Sequence, residues 1–433
     1  MVADVPGPKI RLGALASPPL ILRTGQRWTL DRDPGPGGPE RVGVELPRLA
    51  GVARVGDPVL LGDGSVELRV RSAGPRGIET VVAHGGPVSS HAGLFLPRAH
   101  LRTEVLARSD RELASAVLDE GVDFLALSFV RDAADVRKAR AWVARQGVGA
   151  GPGLIAKIER AEAMEGIDAI LGESDGIMVA RGDLGIELPL ERLALEQKRL
   201  VRRANLAGRF AIVATQMLLS MVSSPRPSRA EATDVANAVL DGADAVMLSE
   251  ESAVGRFPVE AVRWLARIAE ATEPTFDPRP MREARLAAGR EGPEQSVAAA
   301  AVQLAEAVAA RAVVTPTHSG RTARLVSAFH PSCPVVALSR DGAVRRRLAL
   351  VGGVLAHPAP HRSDLPGLTL AANRLLGRLP LGAPGPAVLT AGYPVEGRPT
   401  NLLTLLGPSG PPPPSRERPR RAVRERRARA PVA

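Results

Sequence analysis

The sequence predicts an α/β protein: a parallel βα sheet curled as a barrel, a small antiparallel β domain inserted near its start, and a second α/β domain behind it. Three observations carry this. Between about residues 99 and 275, short apolar runs alternate with helix-length amphipathic segments. Residues 14–98 instead hold strand-like pieces bent at Gly and Pro, and from 293 to 407 runs and helices alternate again. At 433 residues the chain exceeds the size at which one core usually suffices, so two or three domains are expected.

The opening "MVADVPGPKIRLG" (1–13) starts with a short strand and bends at its Pro-Gly-Pro. The insert, 14–98, carries "DPVLLGDGSVELRVRS", turning at Gly62-Asp63-Gly64, and a "PGPGGP" loop at 34–39; both suit a β domain capping the barrel. The barrel runs are "FLALSFV" (124–130), "GLIAKIE" (153–159), "GIMVARG" (176–182), "FAIVATQ" (210–216) and "AVMLSE" (245–250). They are apolar on both faces, as strands of a parallel sheet covered on both sides must be. A polar or reactive residue closes each: Ser128, Lys157 with Glu159, Arg181 to Asp183, Thr215 with Gln216, and Ser249 with Glu250. In a closed βα barrel all strand carboxyl ends face one mouth, so these groups should converge.

Residues 1–13 and 99–275 thus read as the barrel domain and 276–292 as a linker. Residues 293–407 read as an open α/β layer, with helix "EQSVAAAAVQLAEAVAARA" ahead of strands "AVVTPT", "PVVALS", "GGVLAHP" and "PAVLTAG". Residues 408–433 lack apolar periodicity and are expected to be a disordered basic tail.

The net charge of +11 suggests a polyanion partner until its location is considered. Residues 415–433 hold eight arginines against Glu417 and Glu425, leaving the body nearly balanced. With only three Trp, one Tyr and seven Phe to stack on bases, nucleic acid is not an expected partner. Cys333 is the one cysteine, which excludes an internal disulfide. No charged-then-apolar leader opens the chain, and its longest apolar stretch, around 297–314, is broken by Gln303, Glu306 and Arg311. The expectation is a cytoplasmic protein with no membrane association.

Lys157 is one of four lysines among 57 basic residues, yet it closes a buried-looking strand. Residues two apart in a strand share a face, so Lys157 and Glu159 should stand side by side; a surface ion pair would fit that spacing equally well. "MVARGDLG" (178–185) ends a strand in Gly182-Asp183, a tight backbone whose N–H groups suit an anion, although Asp183 could equally be a helix cap. Thr215 adds a hydroxyl at a third strand end, where a cap or plain β former is the usual reading. Two carboxylates, Glu159 and Asp183, make a sparse oxygen site that suits Mg²⁺, with Mn²⁺ an alternative, completed by water and substrate oxygens. A lysine beside such an ion can neutralise a transferring phosphoryl group or an enolate, a task for a compact charge rather than a planar fork.

With these residues in place, the chain resembles the pyruvate kinases. "DVPGPKIRLG" (4–13), "GVDFLALSFVRDAADV" (121–136), "IAKIER" (155–160), "DGIMVARGDLGIELP" (175–189), "VATQMLLSM" (213–221) and "RPSRAEATDVANAVLDGADAVMLSEESAVGRFPVEAV" (226–262) follow the family pattern in order. "THSGRTARLVSAFHP" (317–331) and "TAGYPVEGRPTN" (390–401) extend it through residue 407. The resemblance implies a (β/α)8 TIM-type barrel with an inserted β-barrel cap and a C-terminal α/β domain, assembled as a homotetramer. It implies phosphoryl transfer from phosphoenolpyruvate to ADP, giving pyruvate and ATP. Lys157 then matches the lysine that stabilises phosphoryl and enolate charge, and Glu159 and Asp183 match the magnesium ligands. Gly182, Asp183 and Thr215 match the grip on the substrate carboxylate, Thr215 also the relay that protonates the enolate, while Arg11 and Ser128 would line the same mouth. In "THSGRTAR", Thr317, Ser319 and Arg321 match a loop that can hold the phosphate of an effector; ordinary helix capping is the alternative.

The chain departs from the pattern in several places. The family's first two βα units, and the Arg-x-Asn-x-Ser motif closing the second, have no match, so the expected barrel is incomplete; either the start lies upstream of Met1 or the copy is degenerate. Lys9 stands where potassium-dependent members carry Glu. The Pro-Gly-Pro bend should fold its ammonium toward Asp4, replacing K⁺ at the monovalent-cation site and making potassium unnecessary. "AGLFLP" (92–97) puts Ala92 and Phe95 where a lysine and an asparagine are usual, and "SEES" puts Glu250 near the mouth. A non-catalytic paralogue acting as a binding or regulatory protein is the competing reading.

Overall fold

The computed structural model describes residues 1–407 except 8, 34, 45–52, 76, 98–104, 150, 289–291, 361–363, 383 and 393–398. The expected tail, 408–433, lies outside the described residues.

The chain opens with strand β1 (Val2–Val5) and at once leaves the barrel. The insert holds β2 (Leu20–Leu22), β3 (Arg27–Asp31), β4 (Arg41–Gly43), β5 (Pro58–Leu61), β6 (Val66–Gly74), β7 (Gly77–His84), β8 (Gly86–Val88) and β9 (Leu94–Phe95). Most pairings here are antiparallel, around a core with Trp28, Leu30, Leu68 and Ile78 wholly buried. Ile10 and Leu12 belong to this core, so the chain passes into the cap before residue 14. The turn between β5 and β6 has Gly62 and Gly64 at φ 66° and 89°, a conformation that only glycine adopts without strain.

The chain then builds α1 (Arg108–Asp119), β10 (Phe124–Leu127), α2 (Ala133–Arg145), β11 (Gly153–Ile158), α3 (Ala161–Glu165), α4 (Ile167–Glu173) and β12 (Gly176–Ala180). It continues with α5 (Arg181–Glu187), α6 (Leu190–Leu206), β13 (Phe210–Ala214), α7 (Arg229–Leu240), β14 (Ala245–Met247), α8 (Glu250–Ala253) and α9 (Pro258–Thr272). Helix starts follow local chemistry: Asp132 accepts from Asp135 N at 3.0 Å ahead of α2, and Ser228 with Glu231 forms a reciprocal cap on α7. Among the described residues the strands form one parallel sheet ordered β1-β10-β11-β12-β13-β14.

Alternation along these strands sorts the side chains. Leu125, Leu127, Leu154, Ala156, Ile158, Ile177 and Val179 pack against the helices, while Phe124, Ala126, Ile155, Met178, Phe210 and Ile212 form a separate inner core. Two apolar faces on one curled parallel sheet are what a barrel requires, as expected. The first two βα units have no counterpart among the described residues, and β1 and β14 end the sheet.

Most of the stretch expected as a linker is a helix, α10 (Arg279–Ala288), packed beside α6; Arg285 of α10 is buried and donates to Asn205 O. The last domain comprises α11 (Pro293–Ala307), β15 (Val313–Pro316), α12 (Arg321–Ser327), β16 (Val335–Ser339), α13 (Gly342–Leu348), β17 (Val354–Pro358), α14 (Leu365–Leu376), β18 (Ala387–Gly392) and β19 (Thr400–Leu406). Its sheet runs β17-β16-β15-β18-β19, with only β19 antiparallel, and separate cores cover its two faces. It is tied to the barrel by Arg346 Nε to Asp123 (2.8 Å) and Gly352 N to Asp244 (2.8 Å). No helix among the described residues is long and apolar enough to cross a membrane.

Candidate active site

Parity places the site. Lys157 and Glu159 share the face of Ile155, which points into the barrel, so both side chains enter the mouth at the carboxyl end of β11. The Lys157 ammonium donates to both Asp4 oxygens at 3.0 Å and to Ser128 Oγ at 2.8 Å, and pairs with Glu159 Oε1 at 3.1 Å. Three neighbouring strands therefore meet at one nitrogen. Burial works against the ammonium, but the carboxylates of Glu159 and Asp4 outweigh it and hold the lysine pKa above its ordinary value. Ser128 donates to Val5 O at 2.6 Å, which fixes its hydroxyl against β1.

Glu159 is buried, and its Oε2 accepts from Phe129 N at 2.7 Å. Burial pushes its pKa up; Lys157 opposes this, and the nearby Asp183 charge adds to it. A divalent cation between Glu159 and Asp183 would remove that repulsion. The cluster of Asp4, Glu159, Asp183, Lys9 and Lys157 carries a formal charge of −1, so two carboxylates remain a fitting, sparse set for a hard cation completed by substrate and water. Among the described residues no group of three or more His, Cys, Asp or Glu forms a fuller cage.

Lys9 reaches a different carboxylate from the one expected. Its ammonium pairs with Asp183 Oδ1 at 2.9 Å, while Asp4 is taken by Lys157. Its position is shaped by the cap: the ammonium lies 5.2 Å from the Phe95 ring centre, and a Cβ at Gly93 would come within 3.1 Å of Lys9 Cε. Arg11 stays out of the cluster, its guanidinium donating to His91 O of the cap at 3.1 Å.

Gly182 N donates to Thr215 Oγ1 at 2.8 Å, and the hydroxyl donates to Ala214 O at 2.6 Å. Thr215 and Gln216 both have positive φ, 70° and 53°, and Phe129 has 56°. Left-handed non-glycine residues cost energy and persist where surroundings enforce them. At Thr215 the enforcing group is Arg181, buried and donating to both Asp234 oxygens (2.6 and 2.7 Å) and to Thr215 O (2.7 Å), whereas Phe129 is held through its N–H by Glu159. Sequence reasoning had placed Arg181 among the strand-end residues but gave it no partner. It also missed Glu251, wholly buried and accepting from Leu218 N (2.9 Å) and Ser249 N (2.8 Å); Glu250, expected near the mouth, is exposed.

In the C-terminal domain Thr317 Oγ1 accepts from Gly320 N at 3.0 Å, Arg321 pairs with Glu294 at 2.6 Å, and Ser319 is exposed. Thr317 thus serves the turn itself, and Arg321 is already engaged.

Comparison with known proteins agrees with this geometry. A family model described as "Pyruvate kinase, barrel domain" matches residues 1–262, and one described as "Pyruvate kinase, alpha/beta domain" matches 295–406. A pyruvate kinase of Geobacillus stearothermophilus is 38% identical over 413 residues, covering 94% of this chain and 70% of that protein. One of Agrobacterium vitis is 40% identical over 412 residues, covering 94% and 84%. The crystal structure of a pyruvate kinase from Cryptosporidium parvum superposes with a TM-score of 0.85 at 33% identity, covering 94% of this chain and 83% of that one. Converging lysine, carboxylates and hydroxyl at one barrel mouth, together with these matches, show that the chain belongs to the pyruvate kinase family, the glycolytic phosphotransferases that turn phosphoenolpyruvate and ADP into pyruvate and ATP.

Proposed function

We propose that this chain transfers the phosphoryl group of phosphoenolpyruvate to ADP at the barrel mouth, with Lys157 as the central charge. The observation carrying the reading is the buried ammonium of Lys157 held by Asp4, Ser128 and Glu159. An ADP phosphate oxygen attacks phosphorus, the bond from phosphorus to the enol oxygen breaks, and its electron pair stays on the enolate. The fixed Lys157 charge favours both the transferring group and the enolate oxygen without having to reorganise. Thr215 Oγ1 then relays a proton to the enolate carbon, taking one from water in the mouth as it gives up its own, and yields pyruvate. The backbone of Gly182 and Asp183, with Thr215, orients the substrate carboxylate.

Glu159 and Asp183 would hold Mg²⁺, or Mn²⁺ in its place, and a bound ion supplies charge neutralisation for the phosphoryl oxygens. Lys9 supplies a tethered positive charge in the mouth, so K⁺ is not required. The enzyme works in the cytoplasm as a homo-oligomer, a homotetramer, and an effector phosphate at Thr317, Ser319 and Arg321 would have to displace Glu294 from Arg321. The test is pyruvate formation from phosphoenolpyruvate and ADP with Mg²⁺, comparing the chain with Lys157→Ala. Turnover lost on the order of 100-fold supports the reading; an unchanged rate removes it.

A further inference from the structure

We infer that the cleft between the barrel floor and the C-terminal domain binds a small phosphorylated metabolite through Arg324, Arg347 and Arg140. The cleft, about 180 Å³, lies where β10, β11 and β13 begin, the end of the sheet opposite Lys157 and Thr215. Its apolar floor is the edge-to-face pair Phe124 and Phe210, with ring centres 5.3 Å apart. Its other wall is α13, with Arg347, and the segment carrying Ser319 and Arg324.

The charge in this cleft is unbalanced. Three guanidinium groups face one carboxylate, Asp175, which is already used by Arg140 (3.2 Å) and by Leu154 N (2.8 Å). Arg140 also donates to Glu173 O at 2.6 Å. Arg347 donates to Gly151 O, but its Nε is buried with no partner. The half-buried Arg324 side chain makes no hydrogen bond and no ion pair among the described residues. Burial depresses the Arg324 pKa, and Arg209, Arg321 and Arg347 push it further, with only Asp175 opposing. A net +2 lined with guanidinium forks matches a phosphate dianion, and the aromatic floor suits a short carbon body. The cleft borders the Thr317–Arg321 turn and shares Ser319 with it, but Arg321 is tied to Glu294 and does not line the cleft. It is also independent of the reaction assigned to the mouth.

The experiment is calorimetric titration of the full chain with glycerol 3-phosphate in Mg²⁺-free buffer at fixed ionic strength. Binding should persist within about twofold in Lys157→Met and Arg321→Met, and weaken about tenfold or more in Arg324→Met, losing charge-assisted bonds. Glycerol 3-phosphate should raise the melting temperature of the wild type and not that of Arg324→Met. If Arg324→Met does not fold, Arg324→Gln reads the same loss. Wild-type affinity in a folded Arg324 variant, abolition by Arg321→Met, or no binding up to about 10 mM would overturn the inference.

Discussion

Replacing Lys157 by Met keeps the stem and removes the charge. The ammonium has four contacts within 3.1 Å: two Asp4 oxygens, Ser128 Oγ and Glu159 Oε1. Without it, the cluster goes from −1 to −2, and Glu159 keeps only the Phe129 N–H as a compensating donor. Breaking a buried pair by removing one partner costs about 3–5 kcal/mol. Asp4 is half exposed and can turn to water, so the lower end, about 3 kcal/mol, applies here. For a domain of this size that is a fall in melting temperature of roughly 6–12 °C. Turnover should fall on the order of 100-fold or more, because the lost charge acts on the transition state. Adding Glu159→Gln to Lys157→Met removes the stranded carboxylate, so the double variant should regain most of the stability and none of the activity. Thermal unfolding in EDTA and a coupled pyruvate assay with Mg²⁺ read the two effects. A single variant within about threefold of wild-type turnover, or a double variant whose stability losses simply add, would refute the reasoning.

Turnover should differ by less than about twofold between K⁺ and Na⁺ at matched ionic strength, since a tethered ammonium is already in the mouth, and Lys9→Glu should create a K⁺ requirement; several-fold K⁺ stimulation of the wild type would remove this role. Thr215→Val should slow release of pyruvate from its enolate by about 100-fold, read as solvent-proton uptake at the pyruvate methyl group, and an unchanged rate would place the proton donor elsewhere. Asp244 is half-buried at the seam with the C-terminal domain, and desolvation pushes its pKa up to about 6, only partly offset by the Gly352 and Ala211 N–H groups. The folded state therefore binds the extra proton between about pH 4 and 6, and stability from this group is lost as pH rises through that window, by about 3 kcal/mol. Unfolding of wild type and Asp244→Asn across pH 4–7 should show that difference; a pH-independent gap between them would contradict it.

The strand ends were readable because burial leaves few reasons for a polar residue there. Ser128, Lys157, Glu159, Asp183 and Thr215 each closed an apolar run, and parity alone placed Lys157 beside Glu159. Partnerships were harder to read. Lys9 lies 174 residues from Asp183 in the chain, and its direction is decided by Gly93 and Phe95 of the cap, which no local pattern relates to the mouth. Arg181 and Asp234 meet across two βα units, and "SEES" could not reveal that Glu251 turns inward while Glu250 faces water. Helix α10 was hidden for a related reason: its buried side carries Arg285, so the stretch read as polar linker.

The central claim, that the mouth around Lys157 performs phosphoryl transfer, is tested most directly by following phosphoenolpyruvate and ADP with the wild-type chain and Mg²⁺. Pyruvate and ATP should appear in equal amounts, with none formed in EDTA. Phosphoenolpyruvate binding without any product would contradict the account and leave a binding protein on the same fold.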